Sequence, residues 1–158
     1  LINFEEAFQR LLGSEGGYAN DPTDPGGETN WGISKRSYPH VDIKNLTKEG
    51  AKEIYMKDFW MPLMEAPSMV KFQMFDFAVN SGVGTAIRKL QAVVGVAEDG
   101  HWGPLSKAAL LEMNTDDVLF LLNAERLEYM TKLKNWPDAS RGWARRIATN
   151  LRYAAKDN

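Results

Sequence analysis

Four acids crowd one short, turn-rich stretch. Residues 14–36 read "SEGGYANDPTDPGGETNWGISKR" and contain Glu15, Asp21, Asp24 and Glu28. Carboxylates in such a setting point to acid–base work on an acid-labile bond. Glycosidic cleavage needs one protonated acid beside the leaving oxygen. It also needs a second polar group for the oxocarbenium-like charge or the attacking water. Glu15 is the candidate acid. Asp24 lies nine residues on, across a loop that can fold back over Glu15, and Asp21 competes for the same role. The hydroxyl of Thr29 or the amide of Asn30 could hold a water. The same acids also read as turn formers, since Asp21 and Asp24 each precede a proline, and spacing alone does not separate the two readings. Tyr18 and Trp31 flank the loop. Sugar rings stack on aromatic faces while polar groups fix their orientation. Trp31, beside Gly32 in a polar loop, is the best cleft candidate among the tryptophans.

Other chemistries are absent from the chain. It has no cysteine, which removes disulfides, thiolate nucleophiles and Cys-zinc sites. No GxSxG elbow, phosphate-binding GxxxxGK[ST], HExxH or EF-hand loop occurs. His40 and His101 are isolated and read as solvated loop residues. No metal or organic cofactor is expected. The net charge is −2 at pH 7 and the sequence pI about 5.7. A nucleic-acid binder carries a basic excess, so no nucleic-acid partner is expected. Arg141, Arg145, Arg146 and Arg152 form a local basic stretch. It reads either as steering toward an anionic polymer or lipid, or as a solvated face with internal ion pairs. No apolar run is long enough for a transmembrane helix. "LINFEEAFQRLL" has early acids and no basic n-region, so it does not read as a signal peptide. The expectation is synthesis in the cytoplasm, with release or export by another route if the protein acts outside it.

The elements that must position these residues are mostly helical. Phe4, Ala7, Phe8, Leu11 and Leu12 follow a helical stripe. Asn3 with Glu6 resembles a capping-box start, and Gly13, Gly16 and Gly17 mark the stop. Glu15 then falls at or just past the helix C-terminus. The negative end of the macrodipole there disfavours its charge and favours the protonated form. Residues 18–36 read as loop or short hairpin. Thr47 caps a helix that ends before Pro62. "APSMVKFQMFDFAVNSG" is apolar nearly all round and reads as a buried central helix ended by Gly82. Further helices follow over residues 85–95, from Pro104 to about Asn114, from a Thr115 cap onward, and over "SRGWARRIATNLRYAAK". The fold class is mainly α, six or more helices with a small β-hairpin or loop element after the first. At 158 residues, with 44% apolar and 25% charged residues, the chain suits one globular domain.

"EGGYANDPTDPGGETNWGISKRSYP" followed by "LTKEGAKEIYMKDFW" resembles the glycoside hydrolase family 108 lysozymes, which are N-acetylmuramidases of phage, prophage and bacterial origin. Glu15 in "EGGY" matches the family's catalytic glutamate. "FDFAVNSGVGTAIRKLQAVVGVAEDGHWGPLSKAAL" is similar to the predicted peptidoglycan-binding region downstream in that family. The resemblance implies a lysozyme-like fold and cleavage of the β-1,4 bond between N-acetylmuramic acid and N-acetylglucosamine in peptidoglycan glycan strands, with endolysin-like, bacteriolytic action. In the broader superfamily, phage enzymes carry a Glu, Asp, Thr triad. Glu15 and Asp24 match its first interval. Thr29 falls one residue before the usual threonine position, which Asn30 occupies here. Asn80, in "VNSG", reads as a cleft residue or a helix cap. The domain expectation is a single lysozyme-like monomer. Its residues 1–66 hold the catalytic glutamate, and its residues 67–158 form a wall-binding-like region packed with them. Two other readings remain: a lytic transglycosylase on the same bond, and a non-catalytic wall-binding protein.

Overall fold

Asn3 opens the first helix by accepting a hydrogen bond from the Glu6 backbone N–H at 2.9 Å. Helix α1 (Phe4–Leu12) then buries Phe4, Ala7, Phe8 and Leu11 on one face, as their spacing predicts. Glu6 does not return to the cap; its carboxylate accepts from Arg10 Nε at 3.3 Å. The computed structural model describes residues 1–13 and 17–158. It divides into two compact units, residues 2–61 and residues 62–158 together with Leu1.

In the first unit α1 precedes a three-stranded antiparallel meander of β1 (Ala19–Asn20), β2 (Glu28–Asn30) and β3 (Ile33–Ser34). Thr29 stands opposite Ala19 on one side and Ser34 on the other. Helix α2 (Lys48–Tyr55) starts at Thr47, whose hydroxyl accepts from the Gly50 N–H at 3.0 Å. It runs on as a π-helical turn, Met56–Trp60, and stops before Pro62. The α1 face and this helix share an aromatic core. Phe8 meets Tyr55 at 5.8 Å between ring centroids, and Phe4 meets Trp60 edge-on at 5.6 Å. Lys52 pairs with Glu5 across the same two helices.

The second unit is helical: α3 (Ser68–Ser81), α4 (Val83–Val94), α5 (Pro104–Glu112), α6 (Thr115–Thr131) and α7 (Trp136–Asp157). The sequence-predicted central helix is α3, with Val70, Phe72, Met74, Phe75, Phe77 and Ala78 all buried. Gly82 joins it to α4 at φ 93° and ψ 148°, a conformation open almost only to glycine. Three boundaries differ from the sequence reading. Helix α4 begins at Val83, directly after Gly82, rather than at Thr85. Asn114, not Thr115, caps α6, its Oδ1 accepting from the N–H groups of Asp116 (2.9 Å) and Asp117 (3.4 Å). Helix α7 begins at Trp136 rather than near Ser140; Pro137 sits in its first turn, where a missing N–H costs no helical bond.

Two polar nodes lock this unit. Asp76 on α3 is buried and accepts from Arg126 Nη1 on α6 (2.8 Å). From α7 it accepts Arg146 Nη2 (3.0 Å) and Asn150 Nδ2 (2.7 Å). Burial alone would raise the Asp76 carboxyl. The two guanidinium charges and the hydrogen bonds from Arg146 and Asn150 outweigh it and hold the group at about 2. Within the basic stretch, Arg146 is thus an internal partner, while Arg141, Arg145 and Arg152 are exposed. The second node is buried Gln91 on α4. Its Nε2 donates to Asp99 Oδ1 (3.0 Å) and the His101 carbonyl (2.9 Å), and its Oε1 accepts from the Gly100 N–H (2.9 Å). Leu90-Gln91 and "DGHWGP" are therefore two halves of one clamp that fixes the loop between α4 and α5.

Candidate active site

The hairpin that carries the sequence-predicted residues is tied to the aromatic core beneath α1. Asn30, only 7% exposed, donates from Nδ2 to the carbonyls of Ile43 (3.1 Å), Leu46 (3.3 Å) and Lys44 (3.4 Å). Its amide donors are spent on holding the loop before α2. Trp31 Nε1 donates to the Leu46 carbonyl at 3.0 Å, and the Trp31 carbonyl accepts from Tyr55 Oη at 2.8 Å. Tyr55 thereby links the ring of Phe8 on α1 to the tip of the hairpin. Sequence reasoning missed this link. Tyr55 falls on the apolar stripe of α2 and reads as core, and its hydroxyl partner lies 24 residues away.

Trp31 is the conformational outlier of the described chain. Its φ is +54°, alone among described non-glycine residues, and Gly32 follows at +78°. Two consecutive positive-φ residues between β2 and β3 make a type I′ turn, which favours Asn-Gly. A bulky residue at the first position is strained, at a cost of about 1–3 kcal/mol. The bonds to Leu46 and Tyr55 hold it there.

Side chains alternate along β2, so Thr29 faces away from Asn30. Asn30 packs into the scaffold and Thr29 is half-buried on the other face. Tyr18 is 42% exposed, and its hydroxyl donates to Glu28 Oε2 at 2.8 Å. That bond, with some desolvation and the Glu28 charge, raises the Tyr18 phenol above its ordinary value. Asp21 and Asp24 each head a turn with proline second. Asp21 Oδ1 accepts from the Thr23 N–H (2.9 Å) and Oγ1 (2.7 Å), and these bonds lower its pKa. Asp24 Oδ1 accepts from the Gly26 N–H at 2.8 Å, and the carbonyls of Asp21 and Asp24 close the two turns onto Asp24 and Gly27. Both acids are exposed. The turn-forming reading thus holds for both, and in each these bonds use Oδ1. Glu15, the expected acid, lies outside the described residues, between Gly13 and Gly17.

Asn80 lies in the last turn of α3, within the second unit. Its Oδ1 stands 3.5 Å from Arg126 Nη2, while the cap belongs to Gly82, whose N–H reaches the Ala78 carbonyl at 2.7 Å. A concavity of about 230 Å³ in the first unit is lined by Tyr38, His40, Glu53, Lys57 and Asp58 among others, and contains none of the expected site residues. Among the described residues no group of three or more His, Asp or Glu side chains is arranged to hold a metal ion. No described helix is long and apolar enough to cross a membrane.

The glycosyl hydrolase 108 family matches residues 8–82, a span that runs from the second half of α1 through the meander and α2 to the end of α3. A solved structure of Brucella abortus SagA superposes with a TM-score of 0.88 at 32% sequence identity, covering 97% of this chain and 94% of that one. No curated protein matches the chain. The chain belongs to the glycosyl hydrolase 108 family. It is a glycoside hydrolase with a lysozyme-like fold, of the kind that hydrolyses peptidoglycan.

Proposed function

We propose that the chain is an N-acetylmuramidase that hydrolyses the β-1,4 bond from N-acetylmuramic acid to N-acetylglucosamine, with Glu15 as general acid. Glu15 gives its proton to the bridging oxygen as the bond to the muramic acid anomeric carbon breaks. The N-acetylglucosamine leaves with a free 4-hydroxyl. Positive charge on the anomeric centre is met by the Asp24 carboxylate, and water adds there with its second proton passing to solvent. The Thr29 hydroxyl, on the face of β2 turned away from Asn30, positions that water. Tyr18 and Trp31 offer ring faces to the sugars. The observation that carries this reading is the strained turn at Trp31, in a stretch the family match covers. A tryptophan stands where Asn-Gly would relax the backbone, and strain of this kind clusters at ligand-binding sites. The residues 67–158 region is proposed to act with the first unit on the wall rather than as a separate binding module.

Mass spectrometry of digested peptidoglycan tests the reaction. Hydrated N-acetylmuramic acid reducing ends are expected. Products lighter by one water would mean transglycosylation, and reducing ends on N-acetylglucosamine would mean the other glycosidic bond. Wall binding with no released fragments would mean a binding protein.

A further inference from the structure

Charge is segregated along this chain. Residues 132–158 hold seven basic residues against two acids, a net +5, while residues 1–131 hold twelve against nineteen, a net −7. Such asymmetry points to an anionic partner for the basic part. Helix α7 gives the excess a geometry. Arg141, Arg145, Arg152 and Lys156 are exposed and follow one another at steps of four, seven and four residues. At about 100° per residue these steps keep all four within about 60° of one another, in a row about 22 Å long. Asp138 in the first turn and Asp157 at the end are the acids of α7, and the 18 residues between them hold none. Asp116 of α6 borders the groove beside Leu151 and Ala155, on the flank of the row. Among the described residues no side chain of the row forms an ion pair or a hydrogen bond. Arg10, Lys52, Lys89, Arg126 and Arg146, by contrast, each meet a carboxylate. Folding does not explain the row. Arg141 with Arg145, and Arg152 with Lys156, are like-charge pairs at i, i+4, which weaken a helix. The macrodipole favours Lys156 in the last turn but not Arg141 and Arg145 in the first half.

We propose that the outer face of α7 is a docking rail for the polymer substrate, its row of cations binding the free carboxylates of the peptides that peptidoglycan strands carry. The proposal rests on the reading of the chain as a peptidoglycan hydrolase. Three observations select this anion. Guanidinium groups fork a carboxylate with two parallel hydrogen bonds, and three of the four cations are arginines. A helix that lies on a membrane sets large apolar residues beside its cations. Here Ala144, Ala148 and Thr149 stand between them, while Leu151 turns to the groove on the α6 side. Duplex DNA carries about one charge per 1.7 Å, far denser than four cations in about 22 Å, and the net −7 of residues 1–131 repels so dense an anion. A strand with sparse carboxylates suits a sparse row.

Co-sedimentation in the cold with purified peptidoglycan, stripped of phosphodiester polymers by hydrofluoric acid, tests it. Arg145→Glu with Arg152→Glu is expected to weaken binding about tenfold at low salt, with the difference shrinking as salt is added. It should raise KM for peptidoglycan and leave kcat unchanged. Its melting temperature should be no lower than the native one, since each glutamate gains a basic neighbour at i, i+4. Lys57→Glu with Lys107→Glu changes the net charge equally from exposed positions off the row, and is expected to bind as the native chain does. On glycan strands freed of peptides by an amidase, the row variant and the native chain are expected to bind alike. Equal loss in the two double variants, or none in the first, overturns the proposal. So does row-dependent binding that survives on peptide-free strands, that needs the phosphodiester polymers, or that is tighter on phosphatidylglycerol vesicles or duplex DNA. A row variant that binds and clears walls as the native chain does removes the rail and leaves the glycosidase reading standing. Row-dependent binding with no released fragment keeps the rail and removes the glycosidase.

Discussion

Asp76→Asn removes one negative charge from a pocket that holds two positive ones. The carboxylate sits on α3 and accepts from Arg126, Arg146 and Asn150. Arg126 is 1% exposed and is left without its counter-charge, in the same pocket as a second guanidinium. Removing one partner of a buried pair costs about 3–5 kcal/mol. The Arg146 side chain is 13% exposed and can turn partly toward water, so the lower half of that range is expected. In a chain of this size the melting temperature falls about 2–4 °C per kcal/mol, giving a loss of roughly 10 °C. Thermal unfolding by circular dichroism and urea unfolding by tryptophan fluorescence both read it. Arg126→Met added to Asp76→Asn removes the stranded charge and should recover part of the loss. The pH dependence gives an independent check. The folded carboxyl, at about 2, lies below the unfolded value of about 4. The unfolded chain therefore binds more protons between these values, and stability rises with pH there. The contribution, on the order of 2 kcal/mol, is complete above about pH 4 and lost as the pH falls toward 2. Asp76→Asn should lack this component. A loss under 1 kcal/mol at pH 7, or an acid limb identical to that of the native chain, would refute the claim that this carboxylate ties α3 to α6 and α7.

Gly82→Ala should destabilise by about 1–3 kcal/mol through backbone strain alone, because a Cβ there meets nothing within 4 Å; urea midpoints measure it, and an unchanged midpoint would contradict the observed φ. Tyr55→Phe removes the bond to the Trp31 carbonyl and should cost about 1 kcal/mol, with a loss of wall-lysing activity larger than the stability change explains, read from melting temperature and turbidity clearing on one preparation. Asp24→Asn should lower activity about 10²-fold with little change in fold, while Asp21→Asn should leave most activity intact; the reverse ranking in a clearing assay would move the second catalytic role to Asp21.

Local rules made much of the fold legible. The Asn3 and Thr47 caps, the α1 stripe and the glycine stops depend on residues within a turn of one another, and the structure has them where the spacing puts them. The α6 start was harder because Asn114 and Thr115 are both capping types, and only backbone geometry selects the former. The sequence reading starts the last helix at Ser140, yet Pro137 is tolerated in the first turn of α7 and the helix begins at Trp136. What stayed hidden was long-range. Asp76 is one acid in an apolar helix, and its partners lie 50 to 74 residues away. Asn30 and Thr29 are neighbours with equal claims in sequence. Strand alternation and the carbonyls of residues 43–46 are what turn Asn30 into the scaffold. The family motif exposed the chemistry because it lies within one short loop. The strain that fixes Trp31 could not be read there, since φ is not written in residue type.

The acid at position 15 is tested most directly by Glu15→Gln, assayed as release of reducing ends from purified peptidoglycan alongside the melting temperature. An unchanged melting temperature with release reduced at least about 10³-fold is the expected result. Release within a few-fold of the native chain, from an equally stable variant, would contradict it.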